Sequence, residues 1–397
     1  MLGPQVDAVI DHEATPAPAF PWAGLLALAT AGFLTILTEA LPAGLLPQIS
    51  ADLGVSQGMA GQLVTLYAIG SLVAAIPLMA ATRSWRRRTL LLLAIGGFLV
   101  VNLITALSSS YTLTLVARFG AGVFAGLVWA LLASHAGRMV PRAMQGKAIA
   151  VAMVGTPLAL SIGIPGGTLL GDLVGWRTAF AIMSALSVLL MVWIRYQLPD
   201  FAGRTAGERT RMTAVLMLPG LRSVLAVTLL FVLAHNILYT YIAPWLTSVR
   251  SVQRVDVVLL VFGAAALLGI WGVGLLVDRW LRALVLASMA AFGISALVLA
   301  LLGQVPSAVL PAVTLWGLAF GGTATLFQTA SARTAGASGD IAQSMIVTVW
   351  NLGIAGGGLA GAFLLQTWGA QTFAWTVLAL MAAALAIVAK ARQHGFQ

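Results

Sequence analysis

G-I-P-G-G-T-L-L-G at 163–171 and G-I-A-G-G-G-L-A-G at 353–361 are one pattern written twice, with Gly163, Gly166, Gly167 and Gly171 matched by glycines at a constant offset of 190. Each stretch lies inside a long apolar run and reads as helix. The glycines spaced by four, at Gly163, Gly167 and Gly171 and again at Gly353, Gly357 and Gly361, then line one helix face. Repetition at this separation predicts two similar halves, each with a glycine-faced helix in the same place. Such a face allows close helix contact in lipid, where no hydrophobic drive exists between helices. It serves either permanent packing or a surface that slides during a working cycle. Pro165 favours the second, because a proline inside a helix frees a backbone carbonyl and permits a bend.

Working outward from the repeat, composition narrows the class. The 397 residues are 60% hydrophobic and 8% charged, with a mean hydropathy of +1.00. A soluble domain carries about 25% charged residues, so a water-soluble globule is excluded. There is no cysteine, which removes disulfides, thiolate metal sites and cysteine nucleophiles together. The net charge of +10 raises the question of a nucleic-acid binder. The cations sit in short gaps between apolar runs rather than on a continuous basic face, so no nucleic-acid partner is expected.

A hydrocarbon core of roughly 30 Å needs about 20 apolar helical residues. Twelve such runs are expected: 22–46, 58–80, 89–107, 112–136, 145–170 and 178–197, then 221–246, 256–277, 283–303, 307–330, 342–366 and 371–391. The fold class is therefore an all-α membrane protein with twelve transmembrane helices in two pseudo-symmetric six-helix bundles, 22–197 and 221–391. These are joined by a polar linker at 198–220 and flanked by tails at 1–21 and 392–397. Seventeen of the 21 Lys and Arg residues fall on one side, against Arg177, Arg250 and Arg254 on the other and Arg118 within a run. By the positive-inside rule both termini are cytoplasmic. The first 21 residues carry Asp7, Asp11 and Glu13 but no Lys or Arg, and no cleaved signal is expected.

Charges inside the runs are the functional candidates. Glu39 in the first helix and Arg118 in the fourth both lie roughly 10 Å below the outer surface at about 1.5 Å per residue. A charge in hydrocarbon costs at least ~2.5 kcal/mol, so each needs a cavity or a partner, and the two are expected to interact. A carboxylate beside a guanidinium can alternate between ionised and protonated forms as hydration changes, which makes Glu39 a candidate proton carrier. The competing reading is a fixed pair holding helices one and four together. His235 lies mid-way along the seventh helix, followed by Asn236 and Tyr239. It is either a packed, hydrogen-bonded histidine or a ligand for a polar substrate. Asn102, Gln328 and Asn351 are further candidate substrate ligands, and Trp129 and Trp271 read as packing or lipid-facing. No nucleophile elbow, phosphate-cradling loop or paired metal ligands occur, so no catalytic residue, metal or cofactor is expected and the chain is not read as an enzyme.

These patterns together resemble the major facilitator superfamily over nearly the whole chain. R-F-G-A-G at 118–122 is similar to the arginine-to-glycine motif that the family links to proton transfer, and G-I-P-G-G at 163–167 looks like the helix-five signature of its antiporters. G-L-L-V-D-R at 274–279 keeps the family's loop motif, with Asp278 and Arg279 as conformational residues, whereas A-A-T-R-S-W-R-R-R at 80–88 lacks the aspartate expected in the first half. T-E-A-L-P-A-G-L-L-P at 38–47, A-G-Q-L-V-T-L-Y-A-I-G at 60–70 and G-W-R-T-A-F at 175–180 resemble the sugar-efflux and arabinose-efflux permease branch of the drug:proton antiporters.

The resemblance implies a monomeric, multi-pass proton-coupled exporter of small organic molecules such as sugars or drugs. It would sit in the bacterial inner membrane, with a small-molecule substrate, protons and the lipid bilayer as its partners. The alternatives are a proton-linked importer or uniporter of a small polar solute, and a membrane-embedded enzyme or sensor.

Overall fold

The computed structural model describes residues 20–82, 84–141, 144–203, 212–250, 254–391 and 394–396, with side chains at 75, 76, 79, 80, 145–147, 212, 278, 337 and 339–341 excluded. Of the expectations above, residues 1–19, Arg83, Arg142, Arg204, Arg209, Arg211 and Arg392, and the side chains of Lys147 and Asp278, lie outside the described residues.

The described residues are helical almost throughout, with no strand among them. Helices α1 (Trp22–Gly44), α2 (Gln57–Ala81), α3 (Arg87–Leu107), α4 (Tyr111–Arg138), α5 (Ala148–Val174) and α6 (Trp176–Gln197) form the first six. The second six are α7 (Leu221–Thr240), α8 (Val255–Val277), α9 (Arg279–Leu302), α10 (Pro306–Ala335), α11 (Gly339–Thr367) and α12 (Thr372–Lys390). Among the described residues, eleven of these helices are long and apolar enough to cross a membrane by composition, and α2, of 25 residues, includes positions outside that set.

Local chemistry sets several boundaries. The Ser56 and Ser110 hydroxyls accept the Met59 and Leu113 amides, capping α2 and α4. Gly54, at φ 63, ends the short helix Leu46–Leu53 that follows α1. Helices α8 and α9 are two separate spans that meet at a kink, where Trp280 has non-helical dihedrals (φ −129°, ψ 28°). Inside α5 the ladder widens to a π-turn at Ala159–Gly163, where the Ile164 amide reaches back to the Ala159 carbonyl. Pro165 follows immediately, so the ring that cannot continue the α ladder is accommodated by a local change of pitch.

The two glycine faces are seams. A Cβ on Gly163 would stand 2.8 Å from the Phe33 ring, and one on Gly167 2.8 Å from Leu41, so α5 lies directly on α1. In the second half a Cβ on Gly353 would meet Val232 at 2.8 Å and one on Gly357 would meet the Asn236 Cβ at 2.6 Å, so α11 lies on α7 in the same manner. Gly171 against Leu45 and Gly361 against Tyr241 extend both seams.

The halves meet along α2 with α11 and along α5 with α8. Gly263 of α8 faces the Leu160 backbone at the π-turn, and Gly358 of α11 faces Thr65 of α2. Val64 and Ala68 of α2 form an apolar plug with Val232, Ile354 and Ala355, flanked by Ile69 and Trp350. The Tyr241 hydroxyl donates to the carbonyls of Gly358 (2.8 Å) and Gly58 (3.4 Å) and accepts from Gln62 Nε2 (3.4 Å). These polar contacts lie at the end opposite the arginine-rich loops. At the arginine-rich end, no hydrogen bond or ion pair among the described residues links one half to the other.

Candidate functional site: a buried acid, a buried guanidinium and an aromatic cluster

Arg118 reaches its position because glycines let α4 lie against α2. A Cβ on Gly122 would run into the Tyr67 carbonyl, and one on Gly70 into that of Phe119. The approach brings the guanidinium, fully buried, to the Leu63 carbonyl (Nε, 3.3 Å) and the Glu39 main-chain carbonyl (Nη2, 3.1 Å). It lies over the Tyr67 ring at 5.0 Å and the Phe180 ring at 5.8 Å, so aromatic faces supply part of the compensation that water would have given. Nη1 has no hydrogen-bond partner among the described residues. Two carbonyls and two ring faces satisfy donors without cancelling a full charge.

Glu39 is half-buried, and its carboxylate forms no ion pair within 4.0 Å among the described residues. It lies within electrostatic range of Arg118, of Tyr67, and of Tyr239 from the other half. Arg118 is thus tied to Glu39 through the main chain, and the carboxylate and guanidinium interact over a longer distance than a contact pair. Asn102 belongs to this neighbourhood. It is fully buried, donates to the Thr38 hydroxyl (3.2 Å) beside Glu39, and leaves its own carbonyl oxygen unpartnered.

The second-half candidates divide. His235 and Tyr239, one turn apart on α7, are stacked at 5.0 Å. His235 also lies 3.9 Å from the Phe320 ring, 5.4 Å from Trp316 and 5.6 Å from Phe262. Three polar atoms in this buried cluster lack a partner among the described residues: His235 Nδ1, the Tyr239 hydroxyl and Trp316 Nε1. Buried polar groups are ordinarily satisfied, at a cost of about 1–3 kcal/mol each if they are not, so three together mark a place that fits a hydrogen-bonding guest. Asn236 points elsewhere. Its amide donates to the Val232 carbonyl of its own helix (2.9 Å) and its Cβ forms the seam against Gly357. Asn351 likewise donates to the Val347 carbonyl (3.0 Å), and the main-chain carbonyl of exposed Gln328 accepts from Gln343 Nε2 (2.8 Å). Neither Gln328 nor Asn351 shares a hydrogen bond with the His235 cluster among the described residues. Trp271 is 68% exposed, on the outer face of the bundle, and Trp129 is half-buried.

Several participants escape sequence reasoning. Trp316, Phe320 and Phe262 carry no mark that separates them from other aromatics in apolar helices. Asp200 is another: on the strap Leu198–Ala202 beyond α6, its carboxylate pairs with Arg86 and accepts the Arg88 amide (3.2 Å). Burial pushes its pKa up, but these hydrogen bonds and the two positive charges outweigh that and hold it below the usual carboxylate range. The strap is also held by the Arg87 amide to the Phe201 carbonyl (2.8 Å), by His135 Nε2 against the Pro199 carbonyl (3.1 Å) and by Arg138 over the Phe201 ring (4.6 Å).

A family model described as Major Facilitator Superfamily matches residues 28–355. A Pseudomonas aeruginosa protein named transcription regulatory protein OpdE is 31% identical over 385 residues, covering 94% of this chain and 95% of its own length. A probable sugar efflux transporter of Pasteurella multocida is 26% identical over 354 residues, covering 88% and 87%. The solved structure of a bacterial homologue of the human lysosomal transporter Spinster, in an inward-facing and unoccupied conformation, superposes with a TM-score of 0.64 at 16% identity, over 94% of this chain and 96% of that one. That likeness is one of fold.

Proposed function

Because the chain belongs to the Major Facilitator Superfamily, we propose that this multi-pass membrane transporter is a proton-coupled exporter of small organic molecules, with both termini cytoplasmic in a bacterial inner membrane. The observation that carries the reading is Glu39. Its carboxylate forms no ion pair among the described residues, stands within electrostatic range of Arg118 in its own half, and also lies within range of Tyr239 on the aromatic cluster of the other half. A proton arriving from outside neutralises Glu39, weakens its attraction for Arg118 and alters the field at Tyr239, where substrate binds. Release of substrate and uptake of a proton are then linked, as exchange requires.

Substrate binds in this reading against His235, Tyr239 and Trp316. A sugar ring or an aromatic drug presents a face for the rings and an edge for the three free polar atoms. The name of the Pasteurella relative supports a sugar-like cargo. The seams of α5 on α1 and α11 on α7 hold each half together while it rocks. The polar contacts around Tyr241 close the outer end, which supports an inward-facing resting state.

Uptake into inverted vesicles under an imposed pH gradient tests this, using compounds first selected from a panel by thermal shift on the purified protein. Wild type is expected to accumulate substrate when the gradient is applied, and Glu39→Gln to lose gradient-driven accumulation. Gradient-driven transport by Glu39→Gln at the wild-type rate would overturn the carrier role. A second reading, a regulatory role in which the chain would bind a solute without carrying it, is prompted by the name of the Pseudomonas relative, a transcription regulatory protein. Counterflow in proteoliposomes separates the two.

A further inference from the structure

The two seams between the halves are built differently at the outer end. On the α2–α11 side the Tyr241 hydroxyl meets Gly58 and Gln62 across the halves. On the other side the stretch Ile164–Val174 of α5 packs against α8, and Gly263 lets the two backbones come close at the π-turn. As the fifth and eighth helices of an alternating bundle, α5 and α8 are antiparallel, so the last turn of one and the first turn of the other share the outer rim. Each of those turns carries a carboxylate, Asp172 on α5 and Asp256 on α8.

The other charged residues of the outer loops are Asp52, Arg177, Arg250 and Arg254. Asp52 and Arg177 pair within the first half at 2.8 Å, and Arg254 holds Asp256 within the second half through two contacts of 3.0 Å. Arg250 is exposed and forms no ion pair within 4.0 Å among the described residues. Positions 251–253, outside the described residues, are Ser, Val and Gln and add no charge. Asp172 accepts from Gln48 of the short helix Leu46–Leu53, which fixes its carboxylate at the rim.

Across the seam, Asp172 lies within electrostatic range of both members of the Arg254–Asp256 pair. Their effects do not cancel. The Arg254 side chain is 63% exposed and screened by water, whereas that of Asp256 is 11% exposed and acts through protein. Asp172 is itself exposed, so external protons reach it directly. With both acids ionised, closing this end brings like charges together, and a proton on Asp172 removes that repulsion.

From this arrangement we infer that Asp172 and Asp256 form an acid-sensitive catch across the α5–α8 seam: external protons favour closure of the outer end, and ionisation of Asp172 favours its opening. The catch rests on the alternating-access reading above but not on proton carriage by Glu39. In an exporter driven by external protons it couples the same acid that releases the cargo to the closing step that follows.

The test is pulsed electron resonance on the full chain in nanodiscs, with spin labels at Ser109→Cys and Gln371→Cys, exposed at the outer end of each half. Every sample carries Glu39→Gln, so that Glu39 contributes no titration. The population at the longer distance is expected to fall about threefold from about pH 8 to about pH 5 at low salt, and by less at high salt, because charges near water are screened. Asp172→Asn should hold that population at its acid value throughout the range. Asp172→Glu should keep the response, which separates lost charge from lost fold. The same pH response with and without Asp172→Asn, no response in either, or a shift of Asp172→Asn toward the longer distance would refute the catch. Gradient-driven transport by Glu39→Gln would overturn the carrier role of Glu39 and leave these distances unaffected.

Discussion

Replacing Tyr241 by Phe isolates one hydroxyl at the junction of the two halves. The ring sits in a slot made by Gly61 of α2 and Gly361 of α11, is fully buried, and is kept by the substitution. What is lost divides into two parts. The bond to the Gly358 carbonyl (2.8 Å) lies within the second half and can persist when the halves separate. The contacts with Gly58 and Gln62 (both 3.4 Å) cross between halves and exist only when this end is closed. Two long hydrogen bonds together contribute about 1 kcal/mol, so the balance should shift about fivefold toward the conformation open at this end. The chain has no cysteine, so labels at Ser109→Cys and Gln371→Cys, both exposed at that end, report the opening by pulsed electron resonance distances without background. A Tyr241→Phe distribution that matches wild type, or that shifts toward the shorter distance, would show that these contacts do not close the transporter.

Other expectations are as specific. Gly357→Val should cost about 1–3 kcal/mol and lower the melting temperature, because its Cβ would stand 2.6 Å from the Asn236 Cβ and 2.8 Å from the Leu233 carbonyl, neither of which can swing away. Gly167→Ala should be milder, since the nearest atom is the mobile end of Leu41. Asp200→Asn tests the strap by pH. Because the folded-state pKa of Asp200 is depressed, its contribution is present above the unfolded value of about 3.9 and is lost as pH falls through the folded value. The melting temperature of wild type should therefore exceed that of the variant at pH 7, and the gap should close in acid. His235→Ala should weaken binding of transported compounds about tenfold while leaving expression unchanged, read by ligand-induced thermal shift.

The architecture is legible in the sequence because each span is a run of apolar residues and because the glycine pattern recurs. Boundaries are less so. The 8–9 junction shows in the sequence as the charged break of Asp278, Arg279 and Arg282, but the non-helical residue within it, Trp280, does not, and the π-turn before Pro165 has no signature beyond the proline itself. Glu39 and Arg118 stand out because a charge in an apolar run is costly and rare. That the guanidinium would bind the main chain of Glu39 rather than its carboxylate depends on how closely Gly122 lets α4 approach α2, which spacing along the chain does not contain. The partners of His235 come from α8 and α10, where Phe262, Trp316 and Phe320 look like any aromatic in lipid. Asp200 sits in a polar linker, and nothing local marks it as the counter-charge for Arg86, from which more than a hundred residues separate it.

The central claim is that the Glu39 carboxyl gains and loses a proton within the bundle. Infrared difference spectroscopy of the reconstituted protein, recorded across a pH titration, observes this without a substrate. The account predicts a protonated-carboxyl stretching band that disappears as pH rises and is missing from Glu39→Gln. Spectra identical in wild type and Glu39→Gln would mean that Glu39 does not change its protonation state, and proton coupling would have to reside elsewhere.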